Sequence, residues 1–127
     1  MPTHAVRWFE LPARDLDRAF AFYHTVLDGH VRMGTFGGVP LILFDVPFST
    51  GQGVGGSVVV RPGFEPRDNG PLLYLNSFGS LSAAVDRVVG AGGQVVVRQM
   101  DLGAFGMAAI IVDCEGNRVG LLEPRMS

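Results

Sequence analysis

The segment RDLDRAFAFYHTVLDG occupies residues 14–29 and carries a clear helix pattern. Asp15 is a candidate N-cap, and Gly29 stands where a left-handed residue commonly ends a helix. Between them the apolar residues return every three or four positions and share one helical face. They are Leu16, Ala19, Phe20, Tyr23, Val26 and Leu27. The segment therefore predicts an amphipathic helix between Asp15 and Gly29.

The same apolar spacing recurs 65 residues later, entered through Gly79-Ser80 and ended by Gly92-Gly93. One extended segment precedes each helix and three follow it, and their Val, Ile, Leu and Phe content with turn-rich boundaries predicts strands. These are residues 5–12, 30–36, 39–46 and 56–61 in the first half, and 72–77, 94–100, 105–112 and 118–123 in the second. Residues 113–117, between the last two, are a strong turn signal. The chain is therefore predicted to be a duplication.

The pattern predicts an α+β fold of two tandem βαβββ modules, which form a curved, cleft-containing mixed sheet with the helices outside. We expect one domain over residues 1–127, with module one at about 4–61, a linker at about 62–71 and module two at about 72–124. A lone module leaves one sheet face uncovered, so the second module is expected to complete it. Residues 47–54 are predicted to form a mobile loop. The modules can pair within one chain or be exchanged between two.

Composition excludes several classes of function. The 127 residues are 47% hydrophobic, and 10 basic against 12 acidic side chains give a net charge of −2, which argues against a nucleic-acid partner. No apolar run is long enough for a bilayer, and the N-terminus does not resemble a signal peptide. Cys114 is the only cysteine, so no intrachain disulfide can form. These features favour a cytoplasmic protein without a membrane partner.

Four motifs, in order, resemble those of the vicinal oxygen chelate superfamily, also called the glyoxalase, bleomycin resistance and extradiol dioxygenase superfamily. They are FELP at 9–12, RDLDRA at 14–19 with Phe22-Tyr23 and Leu27 beyond, GGSVV at 55–59, and DCEGNRVGL at 113–121. The resemblance covers nearly the whole chain. It implies the tandem βαβββ fold and makes a homodimer the expected assembly.

The resemblance also locates the positions where metal-dependent members hold a divalent ion, on the first and last strand of each module. They fall on Trp8, on Leu72, on Gly56 with its neighbour Ser57, and on Gly120. Indole, isobutyl and glycine offer no side-chain lone pair for such an ion, and a single serine would not hold one. We therefore expect no metal and no cofactor, as in the metal-free members, which include drug-binding resistance proteins.

Strand alternation places Trp8, Glu10 and Pro12 on one face, and likewise Leu72, Tyr74 and Asn76. If these faces line the cleft, Trp8 and Tyr74 form flat apolar walls suited to an aromatic ligand. The predicted ligand-binding set is Trp8, Glu10, Ser57, Leu72, Tyr74, Asn76 and Gly120. The alternative for Trp8 is that it simply fills the core.

Glu10 is the candidate catalytic residue, because a carboxylate on an inward strand face needs a partner, water or a ligand. In an apolar cleft its pKa would rise and it could act as a general base, with Tyr74 or Asn76 as polarising donors. The alternative is a salt bridge with an arginine or a solvated position at the rim.

The sequence thus supports three hypotheses, of which the third is a structural one, a homodimer whose partner matters more than its cleft. The first is a metal-independent protein that binds a small aromatic or partly apolar molecule, such as a drug or metabolite, between the modules. The second is a glyoxalase-like lyase or isomerase with Glu10 as general base, which would depend on a metal only if the ligand positions are misplaced.

Overall fold

A computed structural model describes residues 4–46 and 54–125. The loop predicted at 47–54 lies outside these residues, apart from Val54. Two helices and eight strands follow one another in the predicted order. They are β1 (Trp8–Pro12), α1 (Leu16–Val26), β2 (Val31–Phe36), β3 (Val39–Phe44), β4 (Gly55–Val59), β5 (Tyr74–Asn76), α2 (Leu81–Val88), β6 (Gln94–Asp101), β7 (Met107–Val112) and β8 (Arg118–Glu123), with a short 3-10 turn at Gly103–Phe105.

The strands form two four-stranded mixed sheets of matching order, β1-β4-β3-β2 and β5-β8-β7-β6. In each sheet the first strand of the module pairs in parallel with the last, and the other pairings are antiparallel. This arrangement confirms the predicted α+β fold of tandem βαβββ modules. The duplication therefore holds in three dimensions as well as in the helix pattern.

The strand register decides which residues of the two modules are equivalent. Glu10 lies beside Ser57 across β1 and β4, and Tyr74 lies beside Gly120 across β5 and β8. Because adjacent residues of a strand point to opposite faces, a difference of one position changes the face. Leu11 and Leu75 are both buried in one core, so Glu10 and Tyr74, each one position earlier, are equivalent. The structure thus equates Ser57, rather than Gly56, with Gly120.

The helices begin where the sequence predicts. The Asp15 side chain accepts a hydrogen bond from Arg18 N at 3.1 Å, and the Ser80 hydroxyl accepts one from Ala83 N at 3.2 Å. Each cap satisfies one of the backbone donors that a helix leaves unpaired at its start. Gly29, with φ of 86°, adopts the left-handed conformation just after α1.

One core joins both modules through their helices. Phe22 and Tyr23 of α1 share it with Val85 and Val88 of α2, all of them buried, and it also includes Leu121 of β8. The guanidinium of Arg87 in α2 donates to Val26 O at 2.9 Å. Within one chain the modules therefore meet through the helix-covered faces of their sheets.

We call the opposite face of the first sheet the free face. The second module was expected to cover this face, and it does not. Its buried residues Leu41, Leu43 and Val59 pack with Trp8 and with Phe64 of the linker. Among the described residues this cluster contains nothing from the second module. Within the chain the second module packs instead on the helix side, where residues of α1 and α2 share one core.

The predicted turn at residues 113–117 does connect β7 and β8, and it also clamps the first module. The Asp113 carboxylate accepts a hydrogen bond from the Tyr23 hydroxyl at 2.5 Å. The side-chain amide of Asn117 donates to Pro12 O at 2.8 Å. Asp113 and Asn117 are buried, so these bonds replace water contacts that both groups have lost.

Burial and the adjacent Asp113 charge raise the pKa of Tyr23 well above its ordinary value.

Glu115, in the same turn, caps α1 from the other module. Its carboxylate accepts from Arg14 N at 2.7 Å and from Asp15 N at 2.8 Å, and it pairs with the Arg18 guanidinium. Burial opposes its charge, but these hydrogen bonds outweigh burial and lower the pKa of Glu115. A negative group at a helix N-terminus is also favoured by the helix dipole.

In residues 4–46 and 54–125, neither helix has the length and apolarity needed to cross a bilayer.

The Glu115 clamp predicts a pH-dependent stability. A carboxylate whose pKa is lowered by folding stabilises fully above its unfolded value of 4.5, and the effect disappears as the pH falls through the lower folded pKa. We expect Glu115→Gln to reduce the free energy of unfolding by about 2 kcal/mol at neutral pH. Urea denaturation of both proteins should show this difference shrinking in acid.

Glu65→Gln is the matched control, because Glu65 forms an exposed ion pair with Arg14 at 3.0 Å and should contribute little. If Glu115→Gln lowers the free energy of unfolding by the same amount at neutral pH and in acid, the stabilising role of the ionised Glu115 carboxylate is contradicted.

Candidate functional site

Two grooves lie along the seam between β1 and β5. Each of these strands pairs on one side only, and residues of β1 line each groove together with residues in or directly before β5. Phe9 and Leu73 line both grooves. The junction groove has a volume of about 380 Å³, and the linker-side groove, bounded also by residues 63–71, has about 480 Å³. Both volumes fall in the range of small-molecule sites.

The junction groove is lined by aromatic and aliphatic side chains, and the aromatic ones come from both modules. Phe9 and Phe44, from the first module, stand with their ring centroids 5.3 Å apart, and Tyr74 and Phe78 come from the second module. Asn76 adds a polar group to the lining. The groove thus offers flat apolar surface from both modules with a polar edge.

Two glycines make room for the rings of this groove. A Cβ atom at Gly56 would overlap the Phe9 ring, and a Cβ atom at Gly120 would overlap the Tyr74 ring. Each glycine lies beside its aromatic residue across a parallel strand pair. The two glycines therefore let the rings lie flat against the neighbouring strand. Glycine at position 120 is accounted for by its contact with the Tyr74 ring and needs no contact with a ligand.

Phe78 is held in an unusual conformation. Its φ of 55° is in the left-handed region, which is costly for a bulky side chain. Asn76 Oδ1 accepts a hydrogen bond from Phe78 N at 2.8 Å, and the Phe78 ring stacks on His30 of the first module at 4.8 Å. Phe78 lines the junction groove but is not among the residues that the sequence predicts to bind a ligand. The available signal was Asn two residues earlier and Gly79 directly after, which favour a tight turn.

Glu10 lines the linker-side groove and is paired with an arginine, as in the alternative considered above. Arg61 donates to both carboxylate oxygens, with Nη2 at 2.6 Å from Oε2. These hydrogen bonds lower the pKa of Glu10 against the weaker opposing effect of burial. A carboxylate with a lowered pKa is a weaker base, so the arrangement suits Glu10 as a fixed negative charge.

Trp8 and Ser57 lie on the free face of the first sheet. The Trp8 ring packs near Phe36, with centroids 5.9 Å apart, and against the Leu41 cluster. Ser57 is fully buried, and among the described residues its hydroxyl has no hydrogen-bond partner. Neither residue lines the junction or linker-side groove.

The predicted binding set is thus distributed over three places. Tyr74 and Asn76 come together in the junction groove, Glu10 lies in the linker-side groove, and Trp8 and Ser57 pack on the free face. Leu72 precedes β5 and lines neither groove.

The family model of the Glyoxalase/Bleomycin resistance protein/Dioxygenase superfamily matches residues 5–121. This chain belongs to that superfamily. The match extends from just before β1 into β8 and so includes both modules. A comparison with curated proteins gave no match.

Solved structures of the superfamily share the fold. A glyoxalase/bleomycin resistance protein from Albidiferax ferrireducens is 14% identical with a TM-score of 0.69, over 96% of this chain and 100% of that one. A glyoxalase-related enzyme from Fulvimarina pelagi is 16% identical with a TM-score of 0.66, over 94% and 88%. A family enzyme from Burkholderia phytofirmans is 14% identical with a TM-score of 0.65, over 93% and 97%.

The metal positions of the glyoxalase superfamily do not fit an ion in this chain. Trp8 and Leu72 carry no ligand atom; the residues that lie beside Ser57 and Gly120 are Glu10 and Tyr74, and Arg61 already donates to both Glu10 carboxylate oxygens. The Tyr74 ring occupies the space where a side chain at residue 120 would stand. Among the described residues no three His, Cys, Asp or Glu side chains are grouped to hold a metal. These positions offer no imidazole or thiolate, and their one carboxylate, Glu10, is paired with Arg61, so they do not supply the ligand set that divalent ions take in proteins.

We expect elemental analysis of protein purified without an affinity tag to find less than one equivalent of any divalent ion, because the family positions lack ligands. Dialysis against a chelator should leave the melting temperature unchanged. A stoichiometric ion, or a chelator-dependent loss of stability, would overturn the assignment of these positions.

Proposed function

We propose that this superfamily member binds a small aromatic or partly apolar molecule in the junction groove, without a metal ion. The observation that supports this most directly is the aromatic lining contributed by both modules. A cavity of about 380 Å³ with few polar groups is typical of small-molecule sites. Drug or metabolite sequestration is the corresponding biological role.

The groove would recognise its ligand mainly by ring packing. Offset or edge-to-face contacts between aromatic rings contribute about 0.5–1.5 kcal/mol beyond the apolar area that they bury. Asn76 Oδ1 is already engaged by Phe78 N, so its amide nitrogen and the Tyr74 hydroxyl are the groups left to bind a ligand's polar end. Tyr74 is 43% exposed, so it lies at the entrance.

The lyase or isomerase hypothesis has less support. It needs Glu10 to accept a proton, whereas the pairing with Arg61 lowers the pKa of Glu10. It also needs Glu10 to act with Tyr74 or Asn76, which line the other groove. Binding is therefore the function that we propose.

We further propose that the protein is a homodimer. The chain packs its helix-covered faces internally, which leaves apolar residues such as Phe36, Val39 and Val96 more than two-fifths exposed. Because the two modules are alike, two copies related by a twofold axis can cover both outer faces reciprocally. A second copy of this chain is thus the partner that the duplication favours.

Binding is tested with a neutral aromatic probe, naphthamide, by calorimetry and by chemical-shift mapping. Tyr74→Ala removes one aromatic wall and should weaken binding about tenfold, equivalent to about 1.4 kcal/mol. Tyr74→Phe keeps the ring and should bind nearly as the parent protein does.

Phe105→Ala is the control, because Phe105 is 77% exposed and lies outside the junction groove. Equal affinity of Tyr74→Ala and the parent protein, or shifts confined to residues away from Phe9, Phe44 and Phe78, would refute the proposal.

The dimer is tested by light scattering with size-exclusion chromatography. We expect twice the chain mass for the parent protein and a monomer for Phe36→Asp, because a buried unpaired carboxylate opposes association. Val89→Asp, at the exposed end of α2, should remain dimeric. A monomeric parent protein at working concentration would contradict the proposal.

A further inference from the structure

We propose that the linker-side groove is a second binding site, selective for a small molecule that carries a carboxylate on a flat apolar body. This site shares Phe9 and Leu73 with the junction groove, but its charged residues do not line that groove, and the proposal does not depend on the function proposed there. Its apolar walls come from Phe9 and Leu11 of β1, Phe64 of the linker and Leu73 before β5. Four charged side chains complete the lining, and their pairing decides the net charge that a ligand meets.

Both acidic residues of the groove are neutralised by arginines outside its lining. Glu10 is paired with Arg61, and Glu65 is paired with Arg14 through Nε at 3.0 Å. Each carboxylate therefore presents little unbalanced negative charge to the groove.

The two basic residues of the groove, Arg67 and Arg118, have no such balance. Within residues 4–46 and 54–125, neither forms a salt bridge with a carboxylate. Arg118 Nε donates to the backbone oxygen of Asp68 at 3.0 Å, a contact that leaves its positive charge uncompensated. The groove therefore carries two guanidinium charges in excess.

The main chain keeps the two arginines together. Arg118 N donates to Arg67 O at 3.3 Å, and Arg67 N donates to Asn117 Oδ1 at 3.4 Å. Asn117 is itself buried and fixed by Asp113 and Pro12 O. The turn that connects the modules thus also brings the main chains of both arginines together at the groove.

The chemistry of these groups identifies the ligand class. A guanidinium presents a planar fork of donors that matches a carboxylate in a two-bond geometry. The Phe9, Leu11, Phe64 and Leu73 side chains favour an apolar body next to that carboxylate. A volume of about 480 Å³ accommodates a molecule with one or two rings.

The test compares naphthoate with naphthamide, which share the ring system and differ in charge. Calorimetry at low ionic strength should show that naphthoate binds the parent protein more tightly than naphthamide at this groove, and added salt should reduce the difference. Arg67→Gln should weaken naphthoate binding about tenfold and leave naphthamide binding unchanged. Arg67 is exposed and its side chain supports no core contact, so this variant should fold.

Arg32→Gln is the matched control, since it removes the same charge from exposed strand β2 outside the groove. Arg118→Lys keeps the charge but loses the fork and should give an intermediate affinity. The proposal is overturned if naphthoate and naphthamide bind equally, or if Arg67→Gln and Arg32→Gln have equal effects. Competition by inorganic phosphate at the same affinity would also overturn it, because the site would then be a general anion site.

Tyr74→Ala separates this proposal from the function of the junction groove. It should reduce naphthamide binding there and leave the Arg67-dependent binding of naphthoate intact. If Tyr74→Ala abolishes naphthoate binding as well, the carboxylate occupies the junction groove and the second site is wrong.

Discussion

The buried turn at residues 113–117 holds the molecule together. Asp113, Glu115 and Asn117 place polar groups of the second module against α1 and Pro12 of the first. In a low-dielectric environment such groups are costly when unpaired and strong when fully hydrogen-bonded. The position of the two sheets, the seam between β1 and β5 and the grooves along it all depend on this contact.

Packing through the helices has consequences for function. It opens the seam between the two edge strands, where aromatic side chains from both modules meet. On the free face of the first sheet, the buried residues pack only with Trp8 and Phe64 among the described residues of their cluster. The two grooves therefore differ chemically: aromatic and aliphatic side chains line the junction groove, and the linker-side groove adds Arg67 and Arg118 to its apolar walls.

Some site residues could be predicted and others could not. Strand alternation was enough to place Tyr74 and Asn76 on a common face, and both line the junction groove. The roles of Phe78, Arg61 and Arg67 depend on contacts between residues far apart in the chain, which no local pattern encodes. Glu10 illustrates the limit, because its character as a base or a fixed charge was decided by Arg61, 51 residues away.

The sequence by itself determined the modules, their order, the helix caps and the family, because periodicity, turn chemistry and duplication are local properties that repeat along the chain. Only the tertiary structure decided that Ser57 is equivalent to Gly120, that the helices share one core and that the predicted cleft residues divide among three places. These features follow from strand register and from packing between modules, where a shift of one residue moves a side chain to the opposite face.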